Sequence, residues 1–317
     1  MISLTEFAKK LFNEKSVALI MHVRPDGDTI GSTLALTLAL RSKGIKADAF
    51  SCEKIPEKYN FLPQISMVKD TICEEYSSVV AVDCADVLRT GNFADYFIKH
   101  KNSYVLDHHV SNELFAKTSY VNFLASNCEN VLNIILETGV EITPEIADLL
   151  LLGVVTDTGA FAHKNVTEQT LDSAKKLVGY GGDLNKIIYH TFKKQTKQRA
   201  DLFAKVMGKI RYFHDQRFAV ISVFTADFNQ TGATDSDTEG FVDFVMGVDT
   251  VEVGACVMEM AKNKYKISFR SKGPNVNEIA GLFGGGGHSL ASGCQISGEY
   301  EEVIDKITFA VSKYLVD

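Results

Sequence analysis

Short apolar runs alternate with stretches of helical spacing through the first half of the chain. The apolar runs cover residues 17–21, 79–82 and 103–106 and are rich in β-branched residues. This alternation predicts an α/β domain whose mostly parallel sheet is flanked by helices. A longer apolar run reaches residue 155 and follows Thr143 and Pro144, which suit an N-cap and the first helical position. It predicts a buried helix.

The pattern changes at residue 186. Residues 186–211 hold eight lysine or arginine residues against one acidic residue, Asp201. This composition favours a helical connector with a solvated basic face over a track that binds substrate.

Beyond the connector, the pattern predicts a smaller α+β domain. Its expected strands are 218–224, 251–260, 265–270 and 293–296, with a hairpin at 262–264 and helices at 276–283 and 300–314. We therefore expect a first domain over 1–188, a helical linker over 189–212 and a second domain over 213–317.

Composition narrows the class of protein. The 317 residues are 45% hydrophobic and 23% charged, which excludes a disordered or collagen-like chain. The sequence has no apolar stretch near the roughly 18 residues that a membrane helix needs, and Glu6, Lys9 and Lys10 are unlike a secretory signal. Six scattered cysteines are typical of reduced thiols. We expect a cytoplasmic protein without a membrane partner.

Charge bears on the partners of the chain. The formal net charge is −7, whereas proteins that hold long nucleic acid usually present a basic face. We therefore expect no long nucleic acid as a partner, while small anions at a local site stay open.

Acidic and histidine residues follow the predicted strands. The first strand leads into His22, Asp26 and Asp28, the second into Asp83, and the third into Asp107, His108 and His109; the predicted helix ends at Asp157. Because ligands of open α/β sheets bind outside the carboxyl ends of the strands, we expect these residues to converge.

Such a set of carboxylates and imidazoles predicts bound cations. Close carboxylates repel one another, and a cation relieves that repulsion. Mixed oxygen and nitrogen ligands suit Mn²⁺ best, with Mg²⁺, Fe²⁺, Co²⁺ or Zn²⁺ as alternatives. Because one Zn²⁺ usually takes four ligands, this larger set predicts two divalent ions that share a carboxylate.

These segments resemble the four motifs of the DHH phosphoesterases. The motifs are His22-Val-Arg-Pro-Asp26-Gly-Asp28, Asp83, Asp107-His108-His109 and Gly153-Val-Val-Thr-Asp157-Thr-Gly. Arg270-Ser271-Lys272 and the segment from Gly284 to Gly293 resemble the DHH-associated substrate domain. The chain length is similar to that of NrnA-type oligoribonucleases and of relatives that cleave cyclic dinucleotides.

The resemblance implies a role for each matching residue. It implies two ligand sets that share one residue: His22, Asp26 and Asp83 for the first ion, and Asp28, Asp83, His108 and Asp157 for the second. Asp83, Asp107 and His109 would be the catalytic residues, with Asp107 orienting its neighbours and His109 facing the scissile phosphate. The domain over 1–188 would hold the metal ions and that over 213–317 the substrate.

A glycine tract marks the second domain. Four consecutive glycines have no side chains to bury, so Gly285, Gly286 and Gly287 allow close backbone approach and predict an anion site made by amides. We expect Arg270, Ser271, His288 and Ser292 to complete it, because Arg270 offers a planar fork for phosphate or a base.

The resemblance implies hydrolysis of short nucleotide substrates by metal-activated water. Candidate substrates are oligoribonucleotides of a few residues, linear or cyclic dinucleotides and 3′-phosphoadenosine 5′-phosphate. The alternatives are a manganese-dependent inorganic pyrophosphatase, which the glycine tract disfavours, and a nucleotide sensor without turnover. A homodimer stays open.

Overall fold

The chain folds into two units, Met1–Lys194 and a second that begins at Gln195. A computed structural model describes residues 1–315. The strands of the first unit are β1 (Ser16–Ile20), β2 (Lys46–Phe50), β3 (Ser78–Val82), β4 (Ser103–Asp107) and β5 (Thr118–Val121). Its helices are α1 (Leu4–Leu11), α2 (Gly27–Ser42), α3 (Ala94–Lys99), α4 (Asn127–Thr138), α5 (Pro144–Asp157), α6 (Glu168–Gly179) and α7 (Leu184–Ile188).

The first sheet is parallel throughout, in the order β2-β1-β3-β4-β5. Both faces are covered: Val17 and Leu19 pack in one core cluster, and Ala18 and Ile20 pack in the other. This burial on both faces explains why the strands are continuous apolar runs. The predicted parallel α/β domain is confirmed.

Helices α2 and α5 pack closely against each other. A Cβ added at Gly31 of α2 would lie 2.2 Å from the carbonyl oxygen of Leu149 in α5, so only glycine permits this approach. Helix α5 begins as predicted, with Thr143 as N-cap and Pro144 at the first position. The crossing brings the start of α2 close to the end of α5.

The second unit has a mixed six-stranded sheet in the order β10-β11-β9-β8-β7-β6. Its strands are β6 (Arg211–Phe213), β7 (Phe218–Val223), β8 (Val253–Ala261), β9 (Lys264–Ser271), β10 (Gly286–His288) and β11 (Ala291–Ser297). Its helices are α8 (Lys197–Met207), α9 (Thr225–Thr231), α10 (Phe241–Met246), α11 (Val276–Gly281) and α12 (Tyr300–Ser312). The predicted hairpin forms between β8 and β9, and the α+β expectation is confirmed.

The segment 189–212, expected to be a helical linker, contains a break and a part of the second unit. Tyr189–Lys193 form a π-helical turn, residues 194–196 are not helical, and α8 begins at Lys197. Leu202 and Val206 of α8 are buried in a core cluster of the second unit. Segment 197–207 therefore belongs to the second unit, because its apolar face packs against that sheet.

Among residues 1–315, no helix combines the length and the apolar character needed to cross a bilayer.

Candidate active site

The first group of potential metal ligands follows β1 and β3. Nε2 of His22 lies 3.5 Å from Oδ1 of Asp26 and 3.5 Å from Oδ2 of Asp83. Nδ1 of His22 lies 2.8 Å from the carbonyl oxygen of Val23. Since a carbonyl can only accept, Nδ1 donates there, and Nε2 faces the two carboxylates as a potential ligand atom.

The second group joins α2, the loop after β4 and the end of α5. Nε2 of His108 lies 3.7 Å from Oδ2 of Asp28 and 3.5 Å from Oδ2 of Asp157. Nδ1 of His108 lies 3.0 Å from the carbonyl oxygen of Leu124 and donates to it. His108 is thus oriented in the same way as the first histidine, with Nε2 toward the carboxylates.

Asp83 lies between the two groups. Its Oδ2 faces His22, while its Oδ1 lies 3.4 Å from Nε2 of His108. Within the described residues no hydrogen-bond donor is aligned with the buried Oδ1. An unpartnered buried carboxylate oxygen is costly unless a ligand satisfies it. The residues therefore fit a cation on each side of Asp83.

The protonation of the site supports this fit. Burial and the charge of Asp83 raise the pKa of Asp28 to about 7, and burial and the charge of Asp28 raise that of Asp157 to about 10. Burial alone would lower the pKa of His22, yet hydrogen bonds to Asp26 and Asp83 raise it to about 10. Without a cation, bound protons offset the negative charge of the carboxylates. A bound cation would displace those protons.

The ligand-atom distances also suit cations. Ligand atoms that share an ion at bonds of about 2.1 Å lie roughly 3–3.5 Å apart. The distances of Asp83 to His22 and His108 are 3.5 and 3.4 Å. Little movement would bring either pair to a shared ion.

Asp28 is held by the start of α4. Its Oδ2 accepts a 2.5 Å hydrogen bond from the amide of Asn127, and its Oδ1 accepts one of 2.9 Å from the amide of Cys128. A helix N-terminus offers such unpaired amides to anions. Sequence reasoning missed this contact, although Ser126 and Glu129 have the spacing of a capping box, which marks a helix start.

Asp107 orients His109. It is the last residue of β4 and is fully buried. Its Oδ1 lies 2.7 Å from Nδ1 of His109, and its Oδ2 accepts from Nδ2 of Asn112 at 2.6 Å. The hydrogen bond to Asp107 raises the pKa of His109. Asn112 was missed by sequence reasoning, although it lies three residues after His109.

Two regions of the sequence match known domain families, and full-length relatives match most of the chain. Residues 16–154 match the DHH family N-terminal domain and residues 215–317 the DHHA1 domain. A bifunctional oligoribonuclease and PAP phosphatase NrnA from Thermus thermophilus is 30% identical over 304 residues, covering 93% of this chain and 90% of the relative. The chain belongs to the DHH family. It is therefore a hydrolase of phosphoester bonds.

Other proteins agree with this DHH assignment. The NrnA of Bacillus subtilis is 27% identical over 299 residues, covering 92% of this chain and 93% of that protein. An exopolyphosphatase-related protein from Bacteroides fragilis has a TM-score of 0.83 at 25% identity, covering 98% of this chain and 96% of that one. The DHH fold thus extends over nearly the whole chain.

The DHH motifs meet in space as the sequence predicts. The six predicted metal ligands lie in two groups at the carboxyl edge of the sheet, His22, Asp26 and Asp83 in one and Asp28, His108 and Asp157 in the other, and a third group of Asp83, His108 and His109 overlaps both. Asp107 and His109 lie beside them. The histidines His100, His163, His190 and His214 were expected to have structural roles, and none of them belongs to these groups.

In the second unit, Arg270 and His288 lie on one face of the DHHA1 sheet. Arg270 of β9 pairs with Ala291 of β11, which pairs in turn with His288 of β10. Directly paired residues share a face of the sheet, so the two basic side chains flank the small Ala291. Nε of Arg270 lies 3.2 Å from Oδ1 of Asp243, and the Ser271 hydroxyl accepts from the amide of Gly273.

The glycine tract makes the close backbone approach that the sequence predicts, but it differs from the expected anion site made by amides. Gly286–His288 pair with β11 as an edge strand, and a Cβ at Gly285 would lie 2.2 Å from the carbonyl oxygen of Gly293. The amides of Gly285 and Gly287 donate to the carbonyl of Ala280 and to Oδ1 of Asn277. These two amides are thus already satisfied within the domain, and the close packing is what requires glycine.

Ser292 has a structural contact. Its side chain is buried, and its hydroxyl donates a 2.5 Å hydrogen bond to the carbonyl oxygen of Val276. This bond ties β11 to the start of α11. A direct contact of Ser292 with substrate would require that bond to break, so the surface that we predict for substrate is formed by Arg270 and His288.

Proposed function

We propose that this DHH enzyme hydrolyses short nucleotide substrates with two divalent cations, of which Mn²⁺ suits the ligands best. The observation that carries the proposal is the position of Asp83, whose two oxygens face two different histidines at 3.5 and 3.4 Å. One carboxylate oriented in this way is suited to join two ligand groups.

The two groups would hold the ions as separate sets joined by Asp83. The first would be His22, Asp26 and Asp83, and the second Asp28, Asp83, His108 and Asp157. When bound, the cations would supply Lewis acidity for activating water and neutralising phosphoryl charge. The contribution of the protein is to keep Nε2 of both histidines directed inward through the carbonyls of Val23 and Leu124.

His109 would bind the phosphoryl group. Its Nδ1 is held by Asp107, which leaves Nε2 to donate a hydrogen bond to a phosphoryl oxygen. The raised pKa of His109 favours the cationic form, and a fixed cationic donor stabilises the charge that develops on that oxygen. Asp107 keeps the ring in place and is itself held by Asn112.

The substrates we propose are oligoribonucleotides of a few residues, linear or cyclic dinucleotides and 3′-phosphoadenosine 5′-phosphate. The names of the NrnA relatives, oligoribonuclease and PAP phosphatase, support this class. Arg270 and His288 would bind a phosphate or a base of the substrate, while Ser271, Ser292 and the glycines Gly285, Gly286 and Gly287 would support the strands that carry these two residues.

A substrate panel tests the proposal. The protein is stripped of metal, reloaded with Mn²⁺, and assayed with a dinucleotide, a ten-residue RNA, cyclic di-AMP, 3′-phosphoadenosine 5′-phosphate and inorganic pyrophosphate. We expect turnover of the short nucleotides and none after chelation. Turnover of pyrophosphate alone would favour the pyrophosphatase alternative, and binding without turnover would favour a sensor.

A further inference from the structure

Three exposed apolar side chains follow strands at the edge of the sheet where the metal-ligand groups lie. Leu88, Val110 and Phe123 are 78%, 82% and 62% exposed. They lie in the segments that follow β3, β4 and β5, respectively. The segment after β3 also carries Asp83, and the segment after β4 also carries His108. None of the three packs in a hydrophobic cluster of residues 1–315. We call these three side chains the apolar rim.

Backbone and side-chain hydrogen bonds join the three loops. The amide of Glu113, after β4, donates to the carbonyl oxygen of Ala85, after β3, at 3.0 Å. The amide of Asn122, after β5, donates to the carbonyl oxygen of Asp107 at 3.1 Å. The rim residues therefore belong to one connected edge of the first unit rather than to three independent loops.

Hydrogen bonds fix the backbone next to Phe123. Its neighbour Leu124 accepts the hydrogen bond from Nδ1 of His108, and the Leu124 amide donates to Asn122 at 2.8 Å. By covalent geometry its Cα lies no more than about 12 Å from Nε2 of His108. The ring of Phe123 makes no aromatic pair with another described residue.

We propose that the apolar rim, with Phe123 as its main contact, binds the nucleobase next to the phosphate that is cleaved. This inference rests on the proposed function and specifies how the same site selects its substrate. A base attached to a phosphate at the ligand groups extends by the length of one nucleoside, and the limit of about 12 Å keeps the Phe123 backbone within a comparable distance of His108. Stacking of the flat face of the base on an aromatic ring stabilises binding, and it does so for every base.

The rim favours this occupant because its chemistry complements that of the ligand groups. The carboxylates and histidines suit ions and phosphate oxygens, whereas the rim offers no charge to an inorganic phosphate chain. A substrate with a phosphate and an adjacent flat apolar group uses both surfaces. Ligand sites combine an apolar lining with a small number of placed polar groups, which is the combination that the rim and the ligand groups offer.

The test compares a dinucleotide with the same molecule lacking the base beside the cleaved phosphate. We expect Phe123→Ala to lower kcat/KM for the complete dinucleotide by about tenfold or more, the usual effect of losing one stacked base. The value for the molecule without the base should change less than about twofold. Phe123→Trp, which keeps an aromatic ring, should retain the preference for the complete dinucleotide over the molecule without the base.

Controls separate a direct contact from a structural effect. Phe309→Ala removes an equally exposed phenylalanine, 66% accessible, from α12 of the second unit, and it should leave both substrates unaffected. Mn²⁺ affinity measured by calorimetry should be the same in Phe123→Ala and the unchanged protein. A dinucleotide with a non-cleavable phosphonate link should bind Phe123→Ala about tenfold more weakly.

Several results would overturn the inference. Equal losses for the two substrates, a loss of Mn²⁺ affinity, or a change of oligomeric state in Phe123→Ala would each show that Phe123 acts by another route. Failure of the unchanged protein to cleave any nucleotide would instead refute the proposed function, and the inference with it.

Discussion

Replacing Gly153 by alanine should damage the site although no predicted metal ligand is itself substituted. Gly153 lies in α5, and a Cβ there would be 2.3 Å from Oδ1 of Asp28 and 2.3 Å from Sγ of Cys128. Carbon atoms pack best at roughly 3.5–4.0 Å from their neighbours, so the methyl group would overlap both atoms by more than about 1 Å. To relieve this overlap, α5, α4 or the side chain of Asp28 must move.

The magnitude follows from how firmly Asp28 is held. Its two oxygens accept the amides of Asn127 and Cys128, so displacement breaks bonds at the start of α4. Inserting a methyl group into a packed core costs about 1–3 kcal/mol. In a unit of this size each kcal/mol lowers Tm by roughly 2–4 °C. We therefore expect a Tm decrease of about 2–12 °C and a Mn²⁺ affinity that is at least about tenfold weaker.

Thermal unfolding and calorimetric Mn²⁺ titration measure these two effects. Gly179→Ala is the matched control, because Gly179 ends α6 and no heavy atom lies within 4 Å of an added Cβ. We expect this variant to keep both Tm and Mn²⁺ affinity. If Gly153→Ala behaves like Gly179→Ala, the close approach of α5 to Asp28 does not exist in the protein.

Four further experiments test other parts of the account. Asp83→Ala should lose binding of both cations and nearly all turnover; near-normal turnover with both ions bound would show that Asp83 does not join them. Asn112→Ala should keep both ions but lower kcat about tenfold, because Asp107 loses one of its donors, and Asn112→Asp should not restore it. Arg270→Ala and His288→Ala should raise KM for dinucleotides with the Mn²⁺ stoichiometry unchanged; loss of metal in either would contradict the division of labour. Initial rates on RNAs from two to twenty residues should be highest at about two to five residues, and a steady rise with length at low salt would reveal a nucleic-acid track.

The fold was predictable where burial leaves a periodic signal. Strands β1, β3 and β4 are covered on both faces and therefore appear as apolar runs. The edge strands β2 and β5 were missed: Lys46–Phe50 contains Asp48, and Thr118–Val121 has only four residues. An edge strand has one neighbour in the sheet, so its sequence is less constrained.

Convergence of the site was also predictable, for a topological reason. The carboxyl ends of parallel strands meet at one edge, so residues as distant in sequence as His22 and His108 were expected to meet. The amides that hold Asp28 were not predictable in this way. They come from α4, about 100 residues away. The capping-box spacing of Ser126 and Glu129 marks the helix start, but it does not indicate which carboxylate the free amides will hold.

The glycine tract shows the limit of reasoning from intrinsic preference. Glycine disfavours strands, and a loop with free amides was the natural expectation for residues 284–287. In the structure Gly286 pairs with Gly293, and Gly285 packs against the same residue. A Cβ at Gly285 or Gly287 would lie 2.2 or 2.6 Å from a backbone oxygen of β11. The need for glycine at these two positions is visible only once the neighbouring strand is known.

The measurement that tests the central claim most directly is the stoichiometry of Mn²⁺ binding together with its magnetic coupling. Calorimetric titration of the metal-free protein should give two Mn²⁺ per chain. The fully loaded protein should show an electron paramagnetic resonance spectrum of two coupled ions, and Asp83→Ala should lose that coupling. One Mn²⁺ per chain at full activity, or two ions without coupling, would contradict a site in which Asp83 joins two cations.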